Sequence, residues 1–209
     1  MARPQAPREF DGLAQIAGHS ALDFLNTVKY RGRAQPGDRL NSFADIVRWA
    51  HLAGLITSPE GARLERVSPD TAARLCGEIV ALREQARRLF PRADARNDVR
   101  AAADVAREIS ALRPVARIDP KSGALSRHIP LNGPEDLKAR IVGALAELLE
   151  QRPGLAIKSC EGHDCDWLFI DHSKAKRRRW CDTRICGNAA RVRRHRDART
   201  GAKQGLRHG

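Results

Sequence analysis

The sequence predicts an α+β fold, with a mainly helical domain carrying a small β-hairpin over residues 1–152 and a compact cysteine-bearing module over residues 153–209. Three observations carry this reading. Apolar residues recur at helical spacing in several segments before residue 150. Two Cys-x4-Cys pairs, Cys160 with Cys165 and Cys181 with Cys186, stand close together after it. Between these regions Arg152-Pro153-Gly154 breaks the pattern and marks a domain boundary, so a fragment ending near Gln151 is expected to fold by itself.

In chain order, the Pro-, Arg- and Gly-containing residues 1–18 predict a disordered start with a short extended segment around residues 10–16. Ser20 caps a brief helix through Leu22, Leu25 and Val28. Asn41 or Ser42 caps the next, in which Phe43, Ile46, Val47, Ala50 and Leu52 keep close to helical spacing until Gly54 stops it. Ser68-Pro69-Asp70 supplies a capping hydroxyl, a proline at the first helical position and an acid in the first turn, and opens a helix to about Phe90. Its stripe is Leu75, Ile79, Leu82, Ala86 and Leu89; Arg74, Glu78, Arg83, Arg87 and Arg88 cover the other side, and Pro91 ends it. Cys76 lies beside the stripe and reads as a small buried hydrophobe.

A second long helix is expected from about Asp94 to Leu112, with Val99, Ala103, Ala106 and Ile109 inward, before Pro114 breaks it. Two short runs between residues 115 and 129 flank Asp119-Pro120-Lys121-Ser122-Gly123, which is turn composition, and predict the hairpin. Gly133-Pro134-Glu135-Asp136 opens a helix whose Leu137, Ile141, Val142, Leu145, Leu148 and Leu149 face a core.

In the C-terminal module, residues 167–171 read as a strand, 172–176 as a turn and 177–180 as the returning strand. A helix follows Cys186-Gly187-Asn188 to about Arg199. Four thiolates complete a tetrahedral Zn2+ without water, so Cys160, Cys165, Cys181 and Cys186 are the expected ligands of one structural zinc in a treble-clef-like four-cysteine zinc finger. Disulfides need an oxidising compartment, and residues 1–10 lack the apolar core of a secretory signal, which predicts a cytoplasmic protein. His163, between two ligands, is not needed to complete the site. A closed site leaves no position for catalysis, and the chain carries no glycine-rich phosphate loop and no recognisable catalytic triad, so an enzyme is not expected. No apolar run is long enough for a membrane span. Trp167, Phe169 and Trp180 are expected to pack over the small zinc core more than to stack on bases.

The net charge of +13 is unevenly placed. Residues 174–209 hold thirteen Lys and Arg against Asp182 and Asp197, a net +11, and the preceding 173 residues carry only +2. Such clustering is the footprint of a polyanion partner, DNA in the first place. Arg177, Arg178, Arg179, Arg184, Asn188, Arg191, Arg193, Arg194 and Arg196 are the candidate nucleic-acid contacts, with the helix after Cys186 nearest a groove. RNA is the alternative partner. A different class is a small-molecule-binding or enzymatic helical domain with the finger as a protein-interaction module. Asp23 and Asn26 are candidates to bind a small effector, or else to satisfy buried backbone, and a homodimer is compatible with either class.

Cys165-Asp166-Trp167-Leu168-Phe169-Ile170-Asp171, Arg178-Arg179-Trp180-Cys181 and Cys186-Gly187-Asn188 together resemble the CGNR zinc finger. Ala21-Leu22-Asp23-Phe24-Leu25-Asn26-Thr27 resembles the start of the ABATE domain that usually precedes it. The resemblance implies bacterial stress-induced transcription regulation. Two departures touch the binding surface and leave the metal ligands intact. Ala189 occupies the position of the arginine in the family's name, and Lys174-Ala175-Lys176 replaces a small polar turn, so Arg191 or this basic turn is expected to substitute.

Overall fold

Local capping chemistry sets where the helices begin in the computed structural model, which describes residues 9–10, 13–31, 33–90 and 98–205. β1 (Glu9–Phe10) pairs antiparallel with β2 (Leu13–Ala14) in and just before the segment expected to be extended; the disordered start expected ahead of it falls on residues 1–8, outside the described residues. α1 (Ser20–Leu25) is capped by His19, whose Nδ1 accepts from the Ala21 N–H, in place of Ser20. It also stops earlier than its apolar spacing suggests. Thr27 turns its hydroxyl back onto the Phe24 carbonyl at 2.7 Å, and Val28 enters β3 (Val28–Lys29), antiparallel to β4 (Gly37–Asp38).

Ser42 caps α2 (Phe43–Leu52), accepting from the Asp45 N–H, and Gly54 at φ +75° turns the chain away. The short α3 (Ser58–Leu64) rests on a capping box between Thr57 and Glu60, with proline in its first turn; seven residues are too few to show a period. α4 (Pro69–Arg87) starts at the Ser68 cap as expected. α5 (Val99–Ser110) is capped by Asp98; Pro91 and the start expected at Asp94 lie outside the described residues. Its inward face differs from the predicted one. Ala101 and Val105 are buried, whereas Val99 is 81% exposed and Ala103 and Ala106 face solvent. Alanines hardly define a face, so Val105, Ile109 and Leu112 decide the orientation.

β5 (Val115–Ile118) and β6 (Leu125–His128) form the expected hairpin, closed by Asp119 Oδ1 accepting from the Lys121 and Ser122 N–H groups. α6 (Glu135–Gln151) buries Leu137, Ile141, Val142, Leu145 and Leu148, and a 3-10 turn (Arg152–Gly154) follows. β7 (Ile157–Ser159) then pairs antiparallel with β8 (Leu168–Ile170), and α7 (Asn188–Gly205) follows a π-turn at Thr183–Gly187. The expected return strand over residues 177–180 is absent. That stretch is a loop: β7 occupies one edge of β8, and Asn26 and the Ala17 carbonyl take the hydrogen-bonding groups of the other.

β8 is a seam, since successive strand residues point to opposite faces. Leu168 and Ile170 enter the large core built from α1, α2, α4 and α6, while Phe169 joins Cys160, Trp167 and Cys181 in a second cluster. Two arginines of α4 expected on its outer side are tied down instead. Arg83, 1% exposed, grips both oxygens of Asp38 at 2.7 and 2.6 Å and reaches Thr27, while its neighbour Glu84 pairs with Arg31. Burial works to raise the Asp38 carboxyl, but the Arg83 bonds outweigh it and hold the group below its ordinary range. Arg87 reaches Asp166 in the C-terminal module. Around Arg83 and Arg87 the outer side of α4 is therefore covered by β4, the loop before it and the cysteine module, while Arg74 and Arg88 stay exposed. Among the described residues, no helix is long and apolar enough to cross a membrane.

Candidate metal centre

The first cysteine pair is held by a turn that closes on its own sulfur. Cys160 follows β7 and donates its N–H to the Trp167 carbonyl at 2.7 Å; the Gly162 and Cys181 N–H groups both donate to Cys160 Sγ at 3.3 Å. Asp164 and Asp166 take left-handed φ values of 62° and 57°, which let the chain reverse tightly around Cys165. Gly162 is required by space. A Cβ there would lie 3.0 Å from Cys186 Sγ and 3.2 Å from Cys165 Cβ. The second pair depends on Asp182, whose Oδ1 accepts from the Arg184 and Ile185 N–H groups and shapes the π-turn that brings Cys186 back toward Cys181.

All four sulfurs lie within 4.8 Å of one another, with Cys165–Cys181 and Cys181–Cys186 both at 3.7 Å. A tetrahedron with Zn–S bonds of about 2.3 Å has sulfur–sulfur edges of roughly 3.8 Å, so the set fits one zinc ion. Held this close, the four thiols interact strongly with one another through their sulfurs. A bound zinc takes its cysteine ligands as thiolates and supplies folding energy by closing the site. His163 is exposed and pairs with Asp164 at 2.8 Å, outside the four-cysteine cluster. Cys76 stands apart, packed against the main core.

Asp171, which sequence reasoning passed over, is completely buried and organises the basic turn. Its oxygens accept from Ser173 Oγ, the Ser173 and Arg178 N–H groups and Lys158 Nζ, and these bonds keep it ionised far below its ordinary range. An acid directly after an apolar strand was the available signal.

The candidate nucleic-acid residues separate into four groups. Arg178 serves the finger itself: it donates to the Trp180 carbonyl at 2.8 Å, contacts the Cys181 carbonyl and lies 4.5 Å over the Phe169 ring. Arg179 is exposed but bonds Glu161 at 2.6 Å. Arg177, Arg184, Asn188, Arg191 and Arg196 are exposed. Arg193 and Arg194 lie on the face of α7 that also carries Ala189 and Ala190 toward the zinc site, whereas Asn188, Arg191 and His195 take the opposite face at 3.6 residues per turn. Trp167 and Phe169 are buried, and Trp180 packs on Gly187.

Asp23 and Asn26 face the protein. Asp23 accepts from the Ala17 N–H at 3.1 Å, and burial pushes its carboxyl up to about 7 against that bond. Asn26, 4% exposed, bonds the backbone of Leu168 with both ends of its amide. Further contacts cross the same boundary. Trp167 Nε1 donates to the Val28 carbonyl at 3.3 Å, the Ile170 N–H to the Ala17 carbonyl at 2.8 Å, and Arg33 Nε to Asp164 at 3.0 Å.

Comparison with known families gives two matches that together run over most of the chain. Residues 156–199 match the CGNR zinc finger, and residues 18–152 match ABATE, described as "Putative stress-induced transcription regulator". No curated protein matches the chain. With the sulfur geometry, the finger match assigns Cys160, Cys165, Cys181 and Cys186 to one structural zinc ion.

Proposed function

Since the chain belongs to the ABATE family and ends in a CGNR zinc finger, we propose that it is a cytoplasmic DNA-binding transcription regulator whose finger makes the contact. The family description is that of a regulator, not an enzyme. The observation that carries the reading is the outward face of α7, where Asn188, Arg191 and His195 are exposed, flanked by Arg177 and Arg184 in a segment of net +11. Phosphate contacts of this kind position a protein on the duplex. The zinc, Asp171 and Arg178 set the shape of the surface and need not touch nucleic acid. Arg191, rather than the residue at position 189, supplies the cation: Ala189 lies on the inward face of the helix, where an arginine would enter the cleft beside the metal.

The test is binding of the zinc-loaded protein to duplex DNA and to folded RNA across a salt series. Five to eight phosphate contacts predict that affinity for duplex falls on the order of a thousandfold between roughly 50 and 200 mM salt. Salt-independent binding, or a clear preference for folded RNA, defeats the DNA reading.

A further inference from the structure

The hairpin of β5 and β6 is anchored at its base and bare beyond it. The Ile129 carbonyl accepts from Arg140 Nε at 2.8 Å, and Gly143 leaves room for the Ile129 side chain, since a Cβ there would stand 2.9 Å from Ile129 Cδ1. Past this anchor neither face is covered. Seven of the eight strand residues are exposed, and Ile118 and Leu125, paired across the strands next to the turn, are 65% and 60% exposed. A two-stranded ribbon with open edges and no face on a core adds little to stability, so packing does not account for its length.

Charge points to the partner. Residues 113–128 hold Arg113, Arg117, Lys121 and Arg127 against Asp119, a net +3 that exceeds the +2 of residues 1–173 taken together. Arg113 is engaged by the carbonyls of Ser110 and Leu112, and Asp119 by the N–H groups of its own turn. Among the described residues, Arg117, Lys121 and Arg127 form no ion pair.

The register places these cations on different sides. Residues opposite one another share a face and successive residues alternate, so Arg117 lies with Ser126 on one face and Arg127 with Ala116 on the other. Cations on both faces suit a slot with two negative walls better than one flat surface, and a second copy of the ribbon would meet them with like charge. The major groove of a duplex is such a slot: about 12 Å wide and about 8.5 Å deep, it admits a two-stranded ribbon between its phosphate rims. Strands of four residues, at about 3.4 Å per residue, reach roughly 13 Å, enough to bring the turn to the floor of the groove.

We propose that the β5–β6 ribbon is a second duplex contact, made by the helical domain and entering the major groove turn first. Arg117 and Arg127 meet the phosphates of opposite strands, and Ile118, Leu125 and Lys121 face the base edges. The proposal rests on the DNA-binding reading and adds to the finger a contact distant in sequence.

Salt titrations of the zinc-loaded full chain on a mixed-sequence DNA duplex test the ribbon. Arg117→Gln with Arg127→Gln is expected to keep native helicity and zinc content, to flatten the log–log slope by about two units and to weaken binding on the order of tenfold or more at roughly 100 mM salt. Arg117→Lys with Arg127→Lys is expected to restore the slope. Duplex is also expected to slow amide exchange within residues 115–128. A native slope in the glutamine variant, or slowed exchange confined to the finger, overturns the ribbon contact and leaves the DNA reading standing. Salt-independent binding by the native chain defeats the DNA reading and the ribbon contact with it. Two further outcomes also overturn the ribbon contact. Poly-glutamate that slows exchange in the ribbon as fully as duplex does would make the partner an acidic protein. A glutamine variant that self-associates at the native slope would assign the arginines to keeping open strand edges apart.

Discussion

Asn26 and Leu168, 142 residues apart, exchange two buried hydrogen bonds: Asn26 Nδ2 donates to the Leu168 carbonyl at 2.8 Å, and the Leu168 N–H donates to Asn26 Oδ1 at 2.9 Å. A single side chain thus gives the free edge of β8 what a neighbouring strand would give it. Asn26→Ala leaves both peptide groups of Leu168 buried without partners, and each such group costs about 1–3 kcal/mol. Urea unfolding at constant zinc is expected to show a loss on the order of 3 kcal/mol. A loss below about 0.5 kcal/mol would mean that water restores the bonds.

Elemental analysis is expected to find one zinc per chain. Removing it with a chelator, or replacing Cys181 with serine, is expected to lower the melting temperature of the helices and not just to unfold the finger. The reason lies in Leu168 and Ile170, 2% and 4% exposed in the main core, where each buried aliphatic side chain contributes about 1.5–3 kcal/mol. For the same reason a fragment ending at Gln151 is expected to melt below the full chain. Circular dichroism decides, and an unchanged helical transition after metal loss would show that the core tolerates the release of β8.

The slope of log affinity against log salt reports how many phosphates are neutralised. Arg177→Ala with Arg191→Ala is expected to flatten the slope on duplex by about two units. Arg66→Ala with Arg100→Ala, two exposed residues elsewhere on the chain, is expected to leave it as it was. Equal slopes for the two double variants would mean that the C-terminal charge acts only in bulk.

Asp23 gives a pH dependence of defined sign. Its carboxyl ionises at about 7 in the folded protein, against an ordinary value of 3.8, so between those values the folded state holds a proton that the unfolded state has lost. Its contribution to stability is therefore largest below about 3.8, declines as pH rises and levels off above about 7. Asp23→Asn keeps an acceptor for the Ala17 N–H and cannot ionise. The stability of the variant relative to the native protein is expected to climb from pH 4 to pH 8 by up to a few kcal/mol. A difference independent of pH would place the Asp23 carboxyl in water.

The sequence made the strongest local signals legible. Ser42, Ser68 and the Asp119 turn act as their residue types suggest, because capping and turn chemistry are settled within a few residues. The zinc ligands were legible for the same reason, as spacing within each pair is a local property. Partners distant along the chain were not. Arg83 reads as one more surface cation on α4 until Asp38 is folded against it, and Asn26 looks like a helix-end residue until Leu168 arrives. The division of arginines on α7 was equally hidden, because helical spacing gives the angle between residues and not which face meets the zinc turn.

β8 carries a further consequence for synthesis. Ribosomes deliver the chain from its N-terminus, so α1, α2, α4 and α6 are all made before the strand whose Leu168 and Ile170 complete their packing. Contacts of such wide sequence separation form slowly, and until they do the apolar sides of those helices stay open to aggregation and to chaperones. If metal loss releases β8, as the melting experiment tests, metal supply is expected to act as a quality gate: a chain that reaches zinc promptly closes its last strand over the nascent core, and a chain made without zinc is expected to stay open to proteases for longer.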